Sequence, residues 1–272
     1  MLPEQRKNII IDQLQNKKTC TINELISILH VSRPTLHRDL EFLEKNGELS
    51  RVHGGAIFLD GPQGIHELES RINKNRQEKE EIARKAISFI EKETCIFLDQ
   101  SSTCLYLARE IINTIDYQIV IVTNSIKIIS EMDGRKTNIN IIATGGTLYH
   151  GWAALGGPNA NKILAELNID QIFMSCRGIS IQKGPMTYHS FIKDLLSSAV
   201  RVSEKVNVLA DSSKFNKVAA YSIMPIENVY RIISDSELDS ETANEYQNIG
   251  IEVIARPDNS SCSEYCNKKD CI

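Results

Sequence analysis

Apolar residues near the start of the chain recur at the spacing of short helices. Ile10 and Leu14 lie on one side of a helix predicted over residues 4–16. Thr21 and Glu24 have the spacing of a capping box, which marks the start of a second helix. The apolar face of that helix is formed, at i, i+3, i+4 and i+7, by Ile22, Leu25, Ile26 and Leu29.

A third helix is predicted in the stretch SRPTLHRDLEFLEKNG, between Ser32 and Gly47. Serine is a favourable N-cap and glycine a favourable end. The inward face is predicted to carry Leu36, Leu40 and Leu43. The next stretch, ELSRVHGGAIF, favours two short strands. Three short helices with a tight turn before the third, followed by a hairpin, predict a winged helix-turn-helix domain over residues 1–58.

In such a domain the third helix enters the major groove of DNA with its N-terminal residues at the base edges. Arg38 suits a guanine or a phosphate, and Thr35 suits a phosphate or a thymine methyl group. Arg51 on the hairpin suits a phosphate or the minor groove. The candidate DNA-binding residues are Ser32, Arg33, Thr35, His37, Arg38, Arg51 and His53. The alternative is a small helical bundle that contacts another protein.

Farther along, seven short runs rich in Ile and Val alternate with helical stretches. They cover residues 95–99, 119–124, 139–144, 171–176, 206–211, 230–236 and 251–256. Their apolar character shows little alternation, which is typical of strands that are buried on both faces. This pattern predicts an α/β domain with a mostly parallel sheet over residues 76–257.

Small polar residues follow six of these seven runs, and they predict a ligand site at one edge of the sheet. In DQSSTCLYLA a strand ends at Asp99, and Ser101, Ser102 and Thr103 lead directly into a helix, whose first N–H groups suit a phosphate. Gly145 and Gly146 permit a close backbone approach. Lys214 offers a positive charge. The alternative is that these loops are ordinary turns, which are often rich in Ser and Gly.

Composition and charge limit these interpretations. The 272 residues are 42% hydrophobic and 24% charged, with a net charge of −4. Residues 1–58 are almost balanced, with eight basic and seven acidic side chains, so DNA contact must come from charge placement. No apolar run has the roughly 18 residues of a membrane span. The N-terminus has no signal-peptide pattern, so we expect a cytoplasmic protein.

Two segments lack apolar periodicity. Residues 59–75, with Gly61, Pro62 and Gly64, are predicted to form a linker. Residues 258–272 are predicted to form a disordered polar tail. The tail holds Cys262, Cys266 and Cys271, whose spacing fits no standard zinc pattern. A metal or redox role for these three cysteines is the alternative.

The stretch CTINELISILHVSRPTLHRDLEFLEKNGELSRVHGGA resembles the DNA-binding module of the DeoR family of bacterial transcription regulators. The matching positions are Val31, Ser32, Thr35, Leu36, Arg38, Asp39, Leu40 and residues 51–56. His37 stands where the family pattern has the first of two arginines. Because histidine is largely neutral at pH 7, we expect a different operator preference.

The second domain resembles the sensor domain of the same family, through IFLDQSSTCLYLA, VTNS, TGGTLYHGWAALGGP, GIS and LADSSKF. The resemblance covers residues 4–256. It implies a fold like ribose-5-phosphate isomerase and an effector that is often a phosphorylated sugar. The matching positions are Asp99, Ser101, Ser102, Thr103, Thr123, Asn124, Gly145, Gly146 and Lys214.

The chain departs from the family pattern in two places. The usual Gly-Thr-Thr-like loop is Ser101-Ser102-Thr103 here. After Gly178 the usual acidic stretch is replaced by QKGPMTYHSFIKDLL, which has Pro185, Tyr188, His189 and Phe191. The stretch keeps the helical lysine of the family pattern as Lys193, which is a further candidate effector-binding residue.

The resulting hypothesis is a homo-oligomer, dimer or tetramer, that represses carbohydrate genes until a phosphorylated sugar binds. No catalytic residue, metal or cofactor is predicted. One alternative is a sugar-phosphate isomerase, for which Asp99, Asp211, Asp235 and His189 are the candidate acids and bases. Another is a constitutive DNA-binding protein whose second domain serves only to form oligomers.

Overall fold

The computed structural model describes residues 3–17, 19–45, 49–52, 54–58, 63–134 and 138–255. Gly47, His53 and the three cysteines predicted in a tail lie outside the described residues. Among the described residues, none of the helices has the length and apolar character that crossing a membrane requires.

The N-terminal domain is the predicted winged helix-turn-helix. Its elements are α1 (Pro3–Lys17), β1 (Thr19–Thr21), α2 (Ile22–Leu29), α3 (Arg33–Lys45), β2 (Leu49–Val52) and β3 (Gly55–Phe58). The predicted capping box starts α2, because the Thr21 hydroxyl accepts from the Glu24 N–H and the Glu24 carboxylate accepts from the Thr21 N–H. The hairpin β2–β3 gains a third, antiparallel strand, β1, which the sequence did not predict.

Helix α3 is held to the rest of this domain by its apolar side and by two polar contacts with α1. Leu36, Leu40 and Leu43 are fully buried, as predicted. The Arg6 guanidinium donates to both oxygens of the Asp39 carboxylate, at 2.7 and 3.1 Å. This bidentate, part-buried pair holds α3 more firmly than an exposed ion pair would.

The predicted linker contains regular structure. Residues 63–73 form helix α4 (Gln63–Asn73), and a two-residue turn leads to α5 (Arg76–Ala86). The Tyr106 hydroxyl of the second domain donates to the backbone oxygen of Ile72, at 3.1 Å. The end of α4 therefore contacts the second domain.

The second domain alternates strands with helices. After a 3-10 helix at Ile87–Phe89, its first half contains β4 (Cys95–Leu98), α6 (Ser102–Thr114), β5 (Ile119–Thr123), α7 (Ile126–Met132), β6 (Ile139–Ala143), β7 (Thr147–Tyr149), a 3-10 helix (His150–Trp152), β8 (Ala154–Gly156) and α8 (Pro158–Ala165). Its second half contains β9 (Ile169–Ser175), β10 (Gly178–Ser180), β11 (Gly184–Thr187), α9 (Ser190–Arg201), β12 (Ser203–Leu209), a 3-10 helix (Ser212–Lys214), β13 (Tyr221–Ser222), a 3-10 helix (Ile226–Asn228), β14 (Arg231–Ile233), α10 (Ser240–Asn248) and β15 (Glu252–Ile254).

All seven predicted strands belong to one parallel sheet, in the order β15-β14-β12-β9-β4-β5-β6. Two apolar clusters cover its two faces, which is why the strands read as continuous apolar runs. The chain proceeds outward from β4 to β6 and then returns to β9 on the other side of β4. The strand order therefore reverses between β4 and β9, which is where ligands bind in open α/β sheets.

Candidate effector pocket and DNA-binding surface

A pocket lies beyond the carboxyl ends of β4 and β9, at this reversal. We call it the strand-end pocket. Its volume of about 90 Å³ is several times the roughly 10–15 Å³ that one water needs. Five of the ten predicted effector-binding residues line it, namely Asp99, Ser101, Ser102, Thr103 and Lys214.

The Asp99 carboxylate joins the two strands at the floor of the strand-end pocket. One oxygen accepts from the Ser101 N–H at 2.9 Å, and the other accepts from the Ser175 N–H at 3.1 Å. Burial raises the pKa of Asp99, and the hydrogen bonds from Ser101 oppose that shift. Because both oxygens already accept backbone donors, Asp99 shapes the loop more than it offers a base.

Helix α6 starts at the wall of the strand-end pocket. The Ser101 hydroxyl caps it by accepting from the Cys104 N–H at 3.1 Å. Ser102 and Thr103 occupy the first turn and are buried. First-turn N–H groups have no intrahelical acceptor, and they lie at the positive end of the helix dipole. This wall therefore suits an anion.

Positive side chains surround the strand-end pocket on several elements. Arg71, Lys74, Lys79 and Arg177 line it together with Lys214. The Lys214 ammonium lies 3.9 Å from a carboxylate oxygen of Asp211. Desolvation lowers the pKa of Lys214, and the nearby charge of Arg177 adds to this shift, whereas Asp211 opposes it. An anion in the strand-end pocket would relieve this crowding of positive charge.

The turn between α4 and α5 forms one edge of the strand-end pocket. The Lys79 ammonium donates to the backbone oxygens of Arg71 and Lys74. Burial, more than the charges of Lys214 and Arg71, lowers the pKa of Lys79 to about 8. Asn75, in the left-handed region at φ 50°, donates to Asp211 at 3.0 Å. The turn is thus tied to both the lysine and the carboxylate of the strand-end pocket.

Trp152 provides an aromatic wall. The Arg71 guanidinium carbon lies 4.3 Å from its ring centre, and that of Arg177 lies 5.8 Å away. The His189 ring meets Trp152 edge-on at 4.3 Å. Burial, followed by the charges of Arg177 and Arg71, lowers the pKa of His189 to about 3. His189 is therefore neutral near pH 7 and packs as an aromatic side chain.

Two predicted effector-binding residues, Thr123 and Asn124, lie behind the strand-end pocket. The fully buried Thr123 hydroxyl donates to the backbone oxygen of Leu98 at 2.7 Å. The Asn124 amide donates to the Gln100 side-chain oxygen at 2.6 Å, and Gln100 does line the strand-end pocket. Asn124 therefore positions a lining residue, while Thr123 joins β5 to β4.

Gly145, Gly146 and Lys193 are not brought into the strand-end pocket either. Gly146 has φ +95°, and a Cβ there would lie 2.4 Å from the backbone oxygen of Gly156. The close packing against β8 thus requires glycine at this position. Gly145 faces Ile163. Lys193 points to solvent from α9, and its side chain is 40% exposed. Its ammonium lies 3.3 Å from a carboxylate oxygen of Asp194.

Several lining residues were missed from the sequence. Arg71, Lys74, Asn75 and Lys79 lie in a charged stretch that reads as a solvent-facing helix, and Trp152 and Arg177 lie between strands. One signal was available, because Lys79 shares an apolar stripe with Ile82, Ala83 and Ala86, all of them buried. A lysine on an apolar stripe is unusual enough to mark a special environment.

The remaining acids proposed for an isomerase have structural partners. Asp235 is fully buried, and its two oxygens accept from the N–H groups of Ser212, at 2.7 Å, and Glu237, at 3.1 Å. Asp211 lines the strand-end pocket but accepts from Asn75 and from the Ser213 N–H. His189 is neutral, and both oxygens of Asp99 accept hydrogen bonds. The four candidate acids and bases for an isomerase are therefore engaged in structural contacts.

The outer side of α3 is exposed. Arg33, His37 and Arg38 are solvent-exposed, and Thr35 is half-buried. The Ser32 and Thr35 hydroxyls are 2.9 Å apart at the start of the helix. The Arg33 guanidinium donates to the side-chain oxygen of Asn23 at 3.1 Å. Five of the predicted DNA-binding residues therefore gather at the N-terminal part of one helix.

Arg51 lies on strand β2, next to α3, and has a partner. Its guanidinium and its backbone N–H each donate to the Glu44 carboxylate at 2.7 Å. The Arg51 side chain is still 40% exposed, so part of it remains accessible to solvent. The sequence did not predict this ion pair. His53 lies outside the described residues.

A winged helix-turn-helix with an exposed third helix, followed by a parallel α/β domain with a cationic strand-end pocket, defines a DNA-binding regulator with a ligand-binding domain. The chain belongs to the DeoR family of transcriptional regulators. Residues 6–61 match the model of the DeoR-like helix-turn-helix domain, and residues 74–236 match that of the DeoR C terminal sensor domain. Membership makes the protein a DNA-binding regulator of transcription and not an enzyme.

Named relatives agree with this assignment. The chain is 33% identical to the L-fucose operon activator of Escherichia coli (strain K12), over 85% of this chain and 94% of that protein. It is 27% identical to the putative aga operon transcriptional repressor of Escherichia coli O157:H7, over 92% of this chain and 93% of that protein. Ribose 5-phosphate isomerase A from Methanocaldococcus jannaschii is a distant structural match, with 16% identity, a TM-score of 0.40, and coverage of 52% of this chain and 55% of that one.

Proposed function

We propose that the protein represses a carbohydrate operon and that a phosphorylated sugar in the strand-end pocket relieves the repression. One observation carries this proposal. The N-terminus of α6, Lys214 and four further cationic side chains all line the same small cavity. A phosphate suits both features, because helix N-termini and lysines favour dianions. Ordinary Ser- and Gly-rich turns would not gather five cations.

The sugar part of the ligand would contact the remaining lining residues. Gln100, Asn75 and Thr187 offer hydrogen-bonding groups, and Trp152 offers an apolar ring face. Of the relatives, one is named for a fucose operon and one for an aga operon, which supports an effector that is a sugar derivative. The two names include both an activator and a repressor, so the sign of regulation is part of the proposal.

Operator binding is proposed for the outer side of α3. Arg38 and Thr35 would contact base edges or phosphates, Ser32, Arg33 and His37 would flank them, and Arg51 with His53 would contact the backbone from the hairpin. A homo-oligomer, dimer or tetramer, would place several such helices on spaced half-sites, since the operator symmetry of helix-turn-helix proteins follows that of the protein.

A thermal-shift screen tests the effector proposal. The full-length protein is heated with a panel of phosphorylated sugars, each paired with its unphosphorylated parent. Binding to the folded state raises the melting temperature by mass action. A shift from a phosphorylated sugar and none from its parent supports the proposal. No shift with any member favours the alternative, in which the second domain only forms oligomers.

The DNA-binding surface is tested by gel shift with Arg38→Ala, using genomic fragments that the wild-type protein retains. Loss of specific binding with an unchanged thermal shift by sugar phosphate is expected. Arg84→Ala, at an exposed position of α5, is the matched control and should bind DNA normally. Unchanged operator affinity in Arg38→Ala would remove α3 from the proposed interface.

A further inference from the structure

The N-terminal domain packs on the second domain at a defined place. Met186, Tyr188 and Ala219 belong to the second domain, but they lie in the same apolar cluster as the core of the N-terminal domain, which includes Ile10 and Ile11 of α1. All three are buried, at 0%, 8% and 6% exposure. We call Met186, Tyr188 and Ala219 the docking seat.

Charges across the contact place helix α1 at the docking seat. Tyr221 lies on β13, which pairs with β11 next to Met186. Burial, followed by the negative charges of Asp12 and Asp194, raises the pKa of the Tyr221 hydroxyl. Asp12 is on α1, and Asp194 is on α9. Asp12 of α1 therefore lies close enough to Tyr221 of the small β10-β11-β13 sheet for its charge to act on the hydroxyl.

Strand β11 reaches the strand-end pocket with its other face. Successive side chains of a strand point to opposite sides, and Thr187, between Met186 and Tyr188, lines the strand-end pocket. The backbone N–H of Arg177, another lining residue, donates to the Met186 backbone oxygen at 2.8 Å. A ligand that displaces Thr187 or Arg177 would thus displace the docking seat directly.

The docked helix is in turn fixed to the DNA-reading helix. Arg6 of α1 forms the bidentate pair with Asp39 of α3, and the Lys7 ammonium lies 3.5 Å from the centre of the Phe42 ring. Arg38 stays exposed in this arrangement. Docking through α1 therefore orients α3 and leaves its outer side free for DNA.

We propose that the docking seat on β11 and the residue 219 loop holds the N-terminal domain in the orientation that binds the operator, and that a ligand in the strand-end pocket releases it. The release step rests on the proposed effector function. In the docked state α3 has fewer orientations available, so it loses less orientational freedom when it binds DNA. Such preorganisation increases affinity. The ligand acts by binding the undocked state more tightly than the docked one.

Two adjacent substitutions test the docking seat without any ligand. Ala219→Glu places a charge in the apolar cluster that Ala219 shares with Ile10 and Ile11 of α1, whereas Val218→Glu places the same charge on a neighbouring side chain that is 39% exposed. We expect Ala219→Glu to weaken operator binding about tenfold, or about 1.4 kcal/mol, and to speed hydrogen exchange of the α1 amides. Val218→Glu should change neither, although it adds the same charge at the adjacent residue.

The outcomes separate the two proposals. Unchanged operator affinity and α1 exchange in Ala219→Glu would overturn the docking seat, and so would equal effects from both substitutions. If Ala219→Glu does not fold, a second measurement tests the docking seat. The full chain is labelled with ¹³C-methionine, and the methyl signal of Met186 is compared between the wild type and Ile11→Val on α1. The substitution shifts this signal only if α1 is docked, so an unshifted signal would overturn the docking seat. If no sugar phosphate binds but Ala219→Glu strongly weakens operator binding, the proposed effector function is refuted and the docking seat is supported.

Discussion

The Asp99 carboxylate and the Ser175 backbone N–H meet at 3.1 Å across the point where the strand order reverses. This bond joins the ends of β4 and β9, which form the floor of the strand-end pocket. The other oxygen of Asp99 accepts from the Ser101 N–H. One buried side chain thus fixes both the start of α6 and the width of the crevice.

Asp99→Asn should destabilise the protein by about 1–3 kcal/mol, because the amide NH₂ cannot accept and one backbone N–H is left buried without its acceptor. Urea unfolding of the second domain measures this loss. Asp133→Asn, at an exposed helix end, is the control and should be nearly neutral. Equal stability of Asp99→Asn and wild type would show that the carboxylate does not organise this floor.

Lys214→Met should weaken sugar-phosphate binding by about tenfold or more, since hydrogen bonds to charged groups contribute about 1.5–3 kcal/mol. Isothermal titration with the best sugar phosphate of the thermal-shift screen measures it. Lys193→Met is the matched control, because this lysine was also predicted from the sequence but is exposed on α9. A larger effect from Lys193 than from Lys214 would place the phosphate elsewhere.

Stability should fall as the pH falls from about 6.5 toward 3, and His189 should cause part of the fall. Burial lowers its pKa to about 3 in the folded protein, so below pH 6.5 the unfolded chain binds a proton that the folded protein does not. The loss from this one group is about 2 kcal/mol at pH 5. Urea unfolding at pH 7 and pH 5 should show a smaller decrease in His189→Phe. An identical decrease in both proteins would contradict a neutral, buried His189.

Glu44→Gln should strengthen DNA binding and steepen its salt dependence. The substitution removes the carboxylate that pairs with Arg51 and so leaves one more cation for phosphate. Each added phosphate contact changes the slope of log affinity against log salt by about 0.9. Gel shifts over a salt series measure the slope. Arg51→Ala added to Glu44→Gln serves as the counterpart and should cancel the steeper slope. An unchanged slope in Glu44→Gln would show that releasing Arg51 from Glu44 adds no phosphate contact.

The strands were predictable because burial on both faces leaves a simple signature. Each of the seven apolar runs became a strand of the parallel sheet, and the short polar loops at their ends marked the edge at which the strand-end pocket lies. Helix α3 was equally plain, since three leucines at helical spacing require one buried face. Strand β1 was missed because three residues pairing with a distant hairpin carry no pattern of their own.

The strand-end pocket was only half predictable. Asp99 and Lys214 follow strands directly and share a sheet edge, so strand order alone brings them together. Lys79 comes from helix α5, which precedes the sheet, so its position depends on tertiary packing. Arg177 follows the end of β9 by two residues, so strand order alone also places it at this edge. Thr123 and Gly146 lie outside the lining of the strand-end pocket, because a polar or small residue after a strand serves packing as readily as binding.

The most direct test of the account is the operator affinity of the full-length protein with and without the sugar phosphate that gives the largest thermal shift. We expect operator binding to be at least about tenfold weaker when that compound is present, a coupling of about 1.4 kcal/mol, and to show no such change in Lys214→Met. Operator affinity that is the same with and without the bound sugar phosphate would contradict it.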